Sequence, residues 1–443
     1  MAIAACILLR APGRSALLAA DPAPADPRTL RRTPVVDVFA QWKDSVVFVT
    51  GPMVKGDKPQ PTEFFSPATK GPQENGVGTG FVVHESGYVV ANAHAAEKLI
   101  FPVVALSDGK RYPAELVASY HNFDLALLKI SAPRPLKAVR LARSGDLMVG
   151  ETVIVIANPH GLLYTCTTGV VSAAARNVHL ADVPGVTLLN LIQSDAGINP
   201  GSSGGPWFNV VGEVLGFTTS MRKDAENIAF AIPVAALRRF LPEMLDAERR
   251  YGLVTGLEVA PDGPCRVTAV EPNSPAAKAG VRAGDMIARL GDRPTPTSLD
   301  FHLALIGRKP EETLAIQLAR DGKAEEASLV LGRRPKPDGA ALLKKTLGLE
   351  AAALDPPKAQ AMGLRVARGL VVTSVEMKFY ENLQHRPQPG DVLARIGWIR
   401  PRDLDHAGLL LERVQPNQSL SLVFLRREAN VGTRIDMNYV VPK

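Results

Sequence analysis

The sequence predicts a mainly β protein, and three observations carry that expectation. Between residues 45 and 232 short apolar runs rich in Val, Ile and Leu alternate with clusters of Gly, Pro, Asn and Asp. No long helical pattern interrupts them, so an antiparallel barrel or sandwich is expected there. Beyond Tyr251 the chain repeats itself. Gly284-Asp285-Met286-Ile287-Ala288-Arg289-Leu290 returns as Gly390-Asp391-Val392-Leu393-Ala394-Arg395-Ile396, 106 residues later, and Thr313-Leu314-Ala315-Ile316 returns as Ser419-Leu420-Ser421-Leu422 at the same offset. Gly256-Leu257-Glu258 returns as Gly348-Leu349-Glu350 at an offset of only 92, so the second copy carries extra residues near its start. A period this long marks two copies of one domain rather than a solenoid.

Residues 1–32 are rich in Ala, Pro and Arg and read as a leader. The stretch 15–25 (SALLAADPAPA) resembles a signal-cleavage zone, but a basic start is missing and Arg10 interrupts the apolar run. An export signal and a disordered leader both fit. Residues 33–250 form the first domain, whose stretch 35–49 opens with a short helix and ends in a strand at 45–49. A Pro-, Gly- and Lys-rich loop is expected over 51–75. Strands follow at 80–83, 88–91, 101–106, 112–119, 125–130, 152–156, 169–173, 188–193, 211–220 and 228–232, with a hairpin turn at Glu85-Ser86-Gly87. Residues 234–250 have helical periodicity and close the domain. The repeats occupy 251–333 and 340–443, joined by the basic, proline-bearing linker 332–338.

Composition excludes several function classes. The net charge of +7 is spread over 443 residues, and its RR and KK pairs lie far apart among acidic residues, which describes solvated surface rather than a nucleic-acid footprint. Cys6, Cys166 and Cys265 are too few for a disulfide framework, and neither CxxC nor HxxxH spacing occurs, so no metal or other cofactor is expected. No apolar run of about 18 residues is present, so no integral membrane span is expected. No GxxxxGK[ST] loop occurs either, so no nucleotide motor is evident.

Chemistry concentrates in residues 193–209, QSDAGINPGSSGGPWFN. Glycines at 201, 204 and 205 open dihedrals closed to other residues, and Pro200 and Pro206 fix φ on either side. Such a loop turns successive N–H groups toward one point, beside which Ser203 would stand as a nucleophile; a Gly/Ser turn between strands is the competing reading. A serine needs a base. His94, in VVANAHAAEKL, follows a strand and has small neighbours. Asp124, in HNFDLALLKI, opens a strand and is the candidate orienting acid; a plain turn aspartate is its alternative. The order His…Asp…Ser, all within the β segment, is that of the chymotrypsin architecture.

The runs GTGFVVHESGYVVANAHA, DLALLKI, GETVIVIANPHGL, TTGVVSAAAR, SDAGINPGSSGGP and NIAFAIP resemble, in order, the motifs of the HtrA/Deg family of trypsin-like serine proteases. The downstream repeat resembles paired PDZ domains. The resemblance covers residues 35–440. It implies a two-β-barrel chymotrypsin-like protease domain followed by two PDZ domains, each a small β-barrel with helices. It matches His94, Asp124 and Ser203 to the catalytic histidine, aspartate and serine, and the backbone amides of Gly201 and Ser203, with Ser202 between them, to the oxyanion hole. Ser202 stands where the family usually has asparagine. Ser202 is also the competing nucleophile, but the resemblance and the following Gly-Gly-Pro favour Ser203.

The resemblance further implies an ATP-independent endopeptidase acting on unfolded or damaged protein, periplasmic or otherwise extracytoplasmic, assembled as a homotrimer or larger homo-oligomer. A PDZ scaffold or chaperone with a latent protease domain is the alternative. The floor of the specificity pocket would be Gly197, six residues before Ser203, walled by Ile228, Ala229 and Phe230. Without a carboxylate it would favour small or medium aliphatic residues before the cut. C-terminal peptides would bind the PDZ domains near Gly256 and Leu257 in the first copy and Gly348 and Leu349 in the second. The second copy has MKFYENLQHRPQPGD where the first has SPAAKAGVRAGD, which suggests assembly or regulation more than capture.

Overall fold

The computed structural model describes residues 26–52, 76–179, 187–221, 227–364, 368–381, 383, 385–428 and 431–442. The leader before 26 and nearly all of the loop expected over 51–75 lie outside them. The helix Pro34–Trp42 precedes a closed antiparallel barrel whose ring order is Val46–Gly51, Gly76–His84, Tyr88–Ala91, Leu125–Ile130, Arg111–Tyr120 and Val103–Ala105. Its strands are apolar at successive positions because both faces are covered. Val47, Val49, Val82, Val89, Ala126 and Leu128 fill the barrel, while Phe81, Val83, Val90, Leu125 and Leu127 face outward into a cluster shared with Phe217, Phe230 and Ile232 of the second barrel.

The second barrel comprises Thr152–Ala157, Thr165–His179, Thr187–Ser194, Ala229–Pro233 and Glu213–Met221. Pro206–Phe208, expected as loop, is a strand that pairs with both Thr152–Ala157 and Glu213–Met221 and so closes the ring. Burial explains the difference: Trp207 and Phe208 are wholly buried, and Trp207 Nε1 donates to Thr218 Oγ1 at 2.8 Å. The serine-bearing turn is thereby anchored at both ends by strands of one barrel.

The helix expected over 234–250 is two. Val234–Leu245 ends where Asp246 turns left-handed (φ 40°, ψ 51°) and donates its N–H to Pro242 O, and Ala247–Tyr251 follows. No described helix is long and apolar enough to cross a membrane.

Two smaller units follow, and the internal repeat is written in their hydrogen bonds. Arg320 grips the Asp285 carboxylate with Nε and Nη2, both at 2.7 Å; Arg426 grips Asp391 in the same way, at 2.8 and 2.9 Å. Both members are displaced by the repeat length (391 − 285 = 426 − 320 = 106). Each arginine also donates to a carbonyl, Gly280 O and Arg386 O, and each aspartate caps the N–H three residues before it, Arg282 and Gln388. The Gly-Asp pairs thus open a strand and tie it to a distant one. The second copy's additional residues include the helix Pro356–Ala361, between strands Leu349–Ala353 and Leu370–Val375. Where the first unit has the helix Pro275–Lys278, the second has a single 3-10 turn, Met377–Phe379.

Both units dock on the barrels. The helix Ser298–Ala304 brings Leu299 and Leu303 into the cluster of Leu237, Leu241 and Met244. Beneath it the buried Arg238 donates to Ala142 O (2.7 Å), Leu141 O (2.9 Å) and Thr297 Oγ1 (3.1 Å), joining second barrel and first small unit. The C-terminal unit receives Ile100 of the first barrel among Val371, Val392 and Ala394 of its five-stranded sheet.

Candidate active site

His94 lies on the short helix Ala93–Ala96, immediately beyond strand Tyr88–Ala91. Asp124 precedes the neighbouring strand Leu125–Ile130 in a left-handed conformation (φ 50°, ψ 41°) and is 1% exposed. Because Ala91 pairs with Ala126, the two residues leave adjacent strands side by side. His94 Nδ1 lies 2.8 and 2.9 Å from the two Asp124 carboxylate oxygens, and His94 N–H donates to Oδ1 at 3.0 Å. Asn92 Nδ2 (2.9 Å) and Thr219 Oγ1 (2.6 Å) complete the carboxylate's partners. A buried carboxylate surrounded by donors fixes the imidazole tautomer with its proton on Nδ1, leaving Nε2 as an acceptor. That nitrogen makes no hydrogen bond among the described residues.

Ser203 enters from the second barrel. Its Oγ is directed to Thr219 O at 3.5 Å, a long contact, rather than to the imidazole. Thr219 therefore touches both partners, Asp124 through its hydroxyl and Ser203 through its carbonyl. Nothing in the run FTTS distinguishes it from an ordinary strand threonine, so it was not among the expected site residues.

The turn around Ser203 is tied across the two barrels. Thr79 of the first barrel donates its hydroxyl to Gly201 O and its N–H to Ser203 O, both at 2.8 Å. The same hydroxyl accepts from Asn158 N–H at 2.9 Å. Among the described residues, neither Gly201 N–H nor Ser203 N–H has an acceptor, whereas Ser202 N–H is spent on Asn199 O at 2.9 Å. The carbonyl opposite each unspent amide is pinned: Pro200 O by His160 N–H and Ser202 O by Gly205 N–H, both at 2.8 Å. Since a peptide unit is planar, holding its oxygen aims its N–H. Gly204 (φ +84°) admits only hydrogen here, because a Cβ would fall 1.9 Å from Thr79 O.

A family model described as a trypsin-like peptidase domain matches residues 78–217, and one described as a PDZ domain matches 214–331. A curated protein of Ectopseudomonas mendocina, named a probable periplasmic serine endoprotease DegP-like, is 31% identical over 414 residues, covering 85% of each chain. The chain belongs to the HtrA/Deg family of serine endoproteases. A DegP-like protein of Chlamydia pneumoniae is 33% identical over 74% of this chain and 67% of its own length, and the periplasmic DegP of Escherichia coli is 35% identical over 58% and 56%. The chain thus spans little more than half of that last relative. A solved serine endoprotease from Yersinia pestis aligns with 69% of this chain and 99% of its own, at 25% identity and a TM-score of 0.39. The PDZ match begins inside the second barrel, while the first small unit's own strands begin at Leu253.

The remaining expected residues of this HtrA/Deg chain fall out unevenly. Gly197 is exposed with open space around it, and its carbonyl accepts from Thr167 Oγ1 at 2.9 Å. Ala229 packs inside the second barrel, and Phe230 turns into the cluster between the barrels. Of the four expected pocket residues, only Gly197 and the half-buried Ile228 offer appreciable surface. In the first small unit Gly256 (φ +71°) leads into strand Leu257–Val259, which among the described residues pairs on one side only. In the second, Gly348 N–H is consumed by Lys344 O at 3.0 Å, capping the helix Gly339–Leu347, and Leu349 is wholly buried.

Proposed function

We propose that this chain hydrolyses peptide bonds of unfolded polypeptides outside the cytoplasm by acyl transfer to Ser203. The observation carrying the reading is the Asp124–His94 pair held beside a serine turn whose two free amides, Gly201 and Ser203, have their carbonyl sides fixed. In the reaction His94 Nε2 takes the Ser203 proton as Oγ attacks the scissile carbonyl. Asp124 holds the imidazole, and the two amides receive the oxyanion. The protonated His94 then gives its proton to the leaving amine, and water repeats the sequence on the acyl-enzyme. Rotation of the Ser203 side chain away from Thr219 O precedes attack.

The open edge of Leu257–Val259 suits an added peptide strand, so the first small unit is assigned to capturing C-terminal peptides. The C-terminal unit is read as a second PDZ domain serving docking rather than capture, because its Gly348 amide is already occupied. The uncharged, open position of Gly197 supports cleavage after small or medium aliphatic residues, and the family supports a homotrimer or larger assembly. Casein degradation by the full chain tests the reading: wild type degrades it, and Ser203→Ala does not while melting as the wild type does. Proteolysis retained by pure Ser203→Ala overturns the assignment.

A further inference from the structure

Docking of the C-terminal unit leaves a cavity of about 220 Å³ behind the His94 helix. Its apolar wall is Ile100, Phe101 and Leu116 from the first barrel and the Trp398 ring from the C-terminal unit. Arg368, Arg395 and Arg400 line it as well, with Glu97 and Glu115. Arg395 is 5% exposed; Nη2 reaches Leu99 O at a long 3.3 Å, and Nε has no partner among the described residues. The Arg400 guanidinium lies over the Phe101 ring at 4.7 Å.

Neither glutamate hydrogen-bonds Arg395, and the buried Glu115 Oε1 has no partner among the described residues. Both Glu97 oxygens are engaged elsewhere, by Ser119 Oγ (2.5 Å) and His121 Nδ1 (2.8 Å). Glu115 Oε2 is divided between Arg368 at 3.6 Å and Arg402 at 3.7 Å. Burial pushes the Arg395 guanidinium down to about 10, and neighbouring Arg434 adds to the effect. A buried donor without its acceptor is costly, and guanidinium groups favour planar two-oxygen anions.

We propose that this cavity binds a small apolar carboxylate, its oxygens paired with Arg395 and its hydrocarbon body against Ile100, Phe101, Leu116 and Trp398. The volume suits a chain of roughly six to eight carbons and is too small for a peptide strand. The site is separate from the peptide edge at Leu257–Val259, and it does not depend on Ser203 being a nucleophile. Its position nevertheless couples it to the proposed catalytic pair. Ala96 and Glu97, at the end of the His94 helix, form part of its wall. Trp398 stacks on His121 (centroids 6.0 Å apart, planes 12° apart), three residues before Asp124.

The test uses the full chain, as wild type and as Ser203→Ala, with octanoate as probe and octanamide as its uncharged counterpart. Octanoate raises the melting temperature of both proteins saturably by a few degrees, and octanamide does not. Arg395→Met, which keeps volume and removes the charge, loses the shift. Ala114→Phe, which fills the cavity and keeps the arginines, loses it too. Absence of a shift at millimolar octanoate, an equal shift with octanamide, or a shift persisting in both variants overturns the site. Octanoate also changes wild-type kcat on a short peptide; unchanged turnover at saturation overturns the coupling while the melting data still report binding. Because Ser203→Ala reports binding without turnover, failure of the protease reading leaves the ligand result legible.

Discussion

Acid should weaken the C-terminal unit through one histidine. His406, on the helix Leu404–Leu411, is 3% exposed, and its Nδ1 accepts from Arg402 N–H at 3.2 Å. Burial lowers its pKa to about 4, Arg402, Arg250 and Arg368 push the same way, and Asp403 opposes them. The ring is therefore neutral in the folded chain, while in the unfolded chain it titrates near 6.5. Below pH 6.5 only the unfolded state takes up the proton, so stability present above that pH is lost as pH falls toward 4 and levels off beneath it. From these two values the loss is about 2 kcal/mol at pH 5 and about 3 kcal/mol below pH 4. His406→Asn keeps an acceptor for Arg402 N–H and cannot titrate. Urea unfolding of the full chain at pH 7.5 and pH 5.0 measures the difference. His84 and His302, both also lowered to about 4 chiefly by burial, contribute equally to wild type and variant and cancel. Wild type should lose about 2 kcal/mol more than His406→Asn across that interval. Parallel pH slopes for the two proteins would refute the reasoning.

Other perturbations give sharp outcomes. Asp124→Asn should leave the fold intact and lower kcat by about 10⁴-fold, because the imidazole is then held in the wrong tautomer; steady-state kinetics on a peptide substrate measure it. Thr219→Val removes one donor from Asp124 and should reduce kcat roughly tenfold to a hundredfold with KM nearly unchanged. Gly204→Ala should abolish turnover, since its Cβ would strike Thr79 O, and labelling by a serine-reactive phosphonate should fall with it. Asp285→Ala and Asp391→Ala each remove the buried carboxylate that ties the strand after it to Arg320 or Arg426, and each should destabilise its own unit, read as a lower urea midpoint.

Much of this architecture was legible in the chain. The barrel strands read out because both faces are buried, so runs such as VVFV and LALL are apolar throughout. His94, Asp124 and Ser203 stood out because a glycine-bound serine and an ordered histidine and aspartate leave local marks. Local pattern does not reveal partners far away in sequence. Thr79 meets the serine turn across more than 120 residues, and Arg320 and Arg426 each grip an aspartate 35 residues back. Pro206–Phe208 looked like loop because three residues are too few to show a period. Asp246 broke an otherwise convincing helix because a left-handed residue leaves the surrounding apolar spacing intact. The expected pocket walls read as strand positions, and only the fold decides which face Ala229 and Phe230 turn to.

Thr79 also bears on the chain's own safety. With Ser203 as the nucleophile, the carbonyls that shape its turn are held by a residue of the other barrel. A chain with one barrel formed therefore lacks an assembled cutting site. Competence arrives only when the two halves meet, after the strands it would otherwise attack have been withdrawn into cores. On the proposed reading, a nascent chain thus cannot cut itself before its own strands are out of reach.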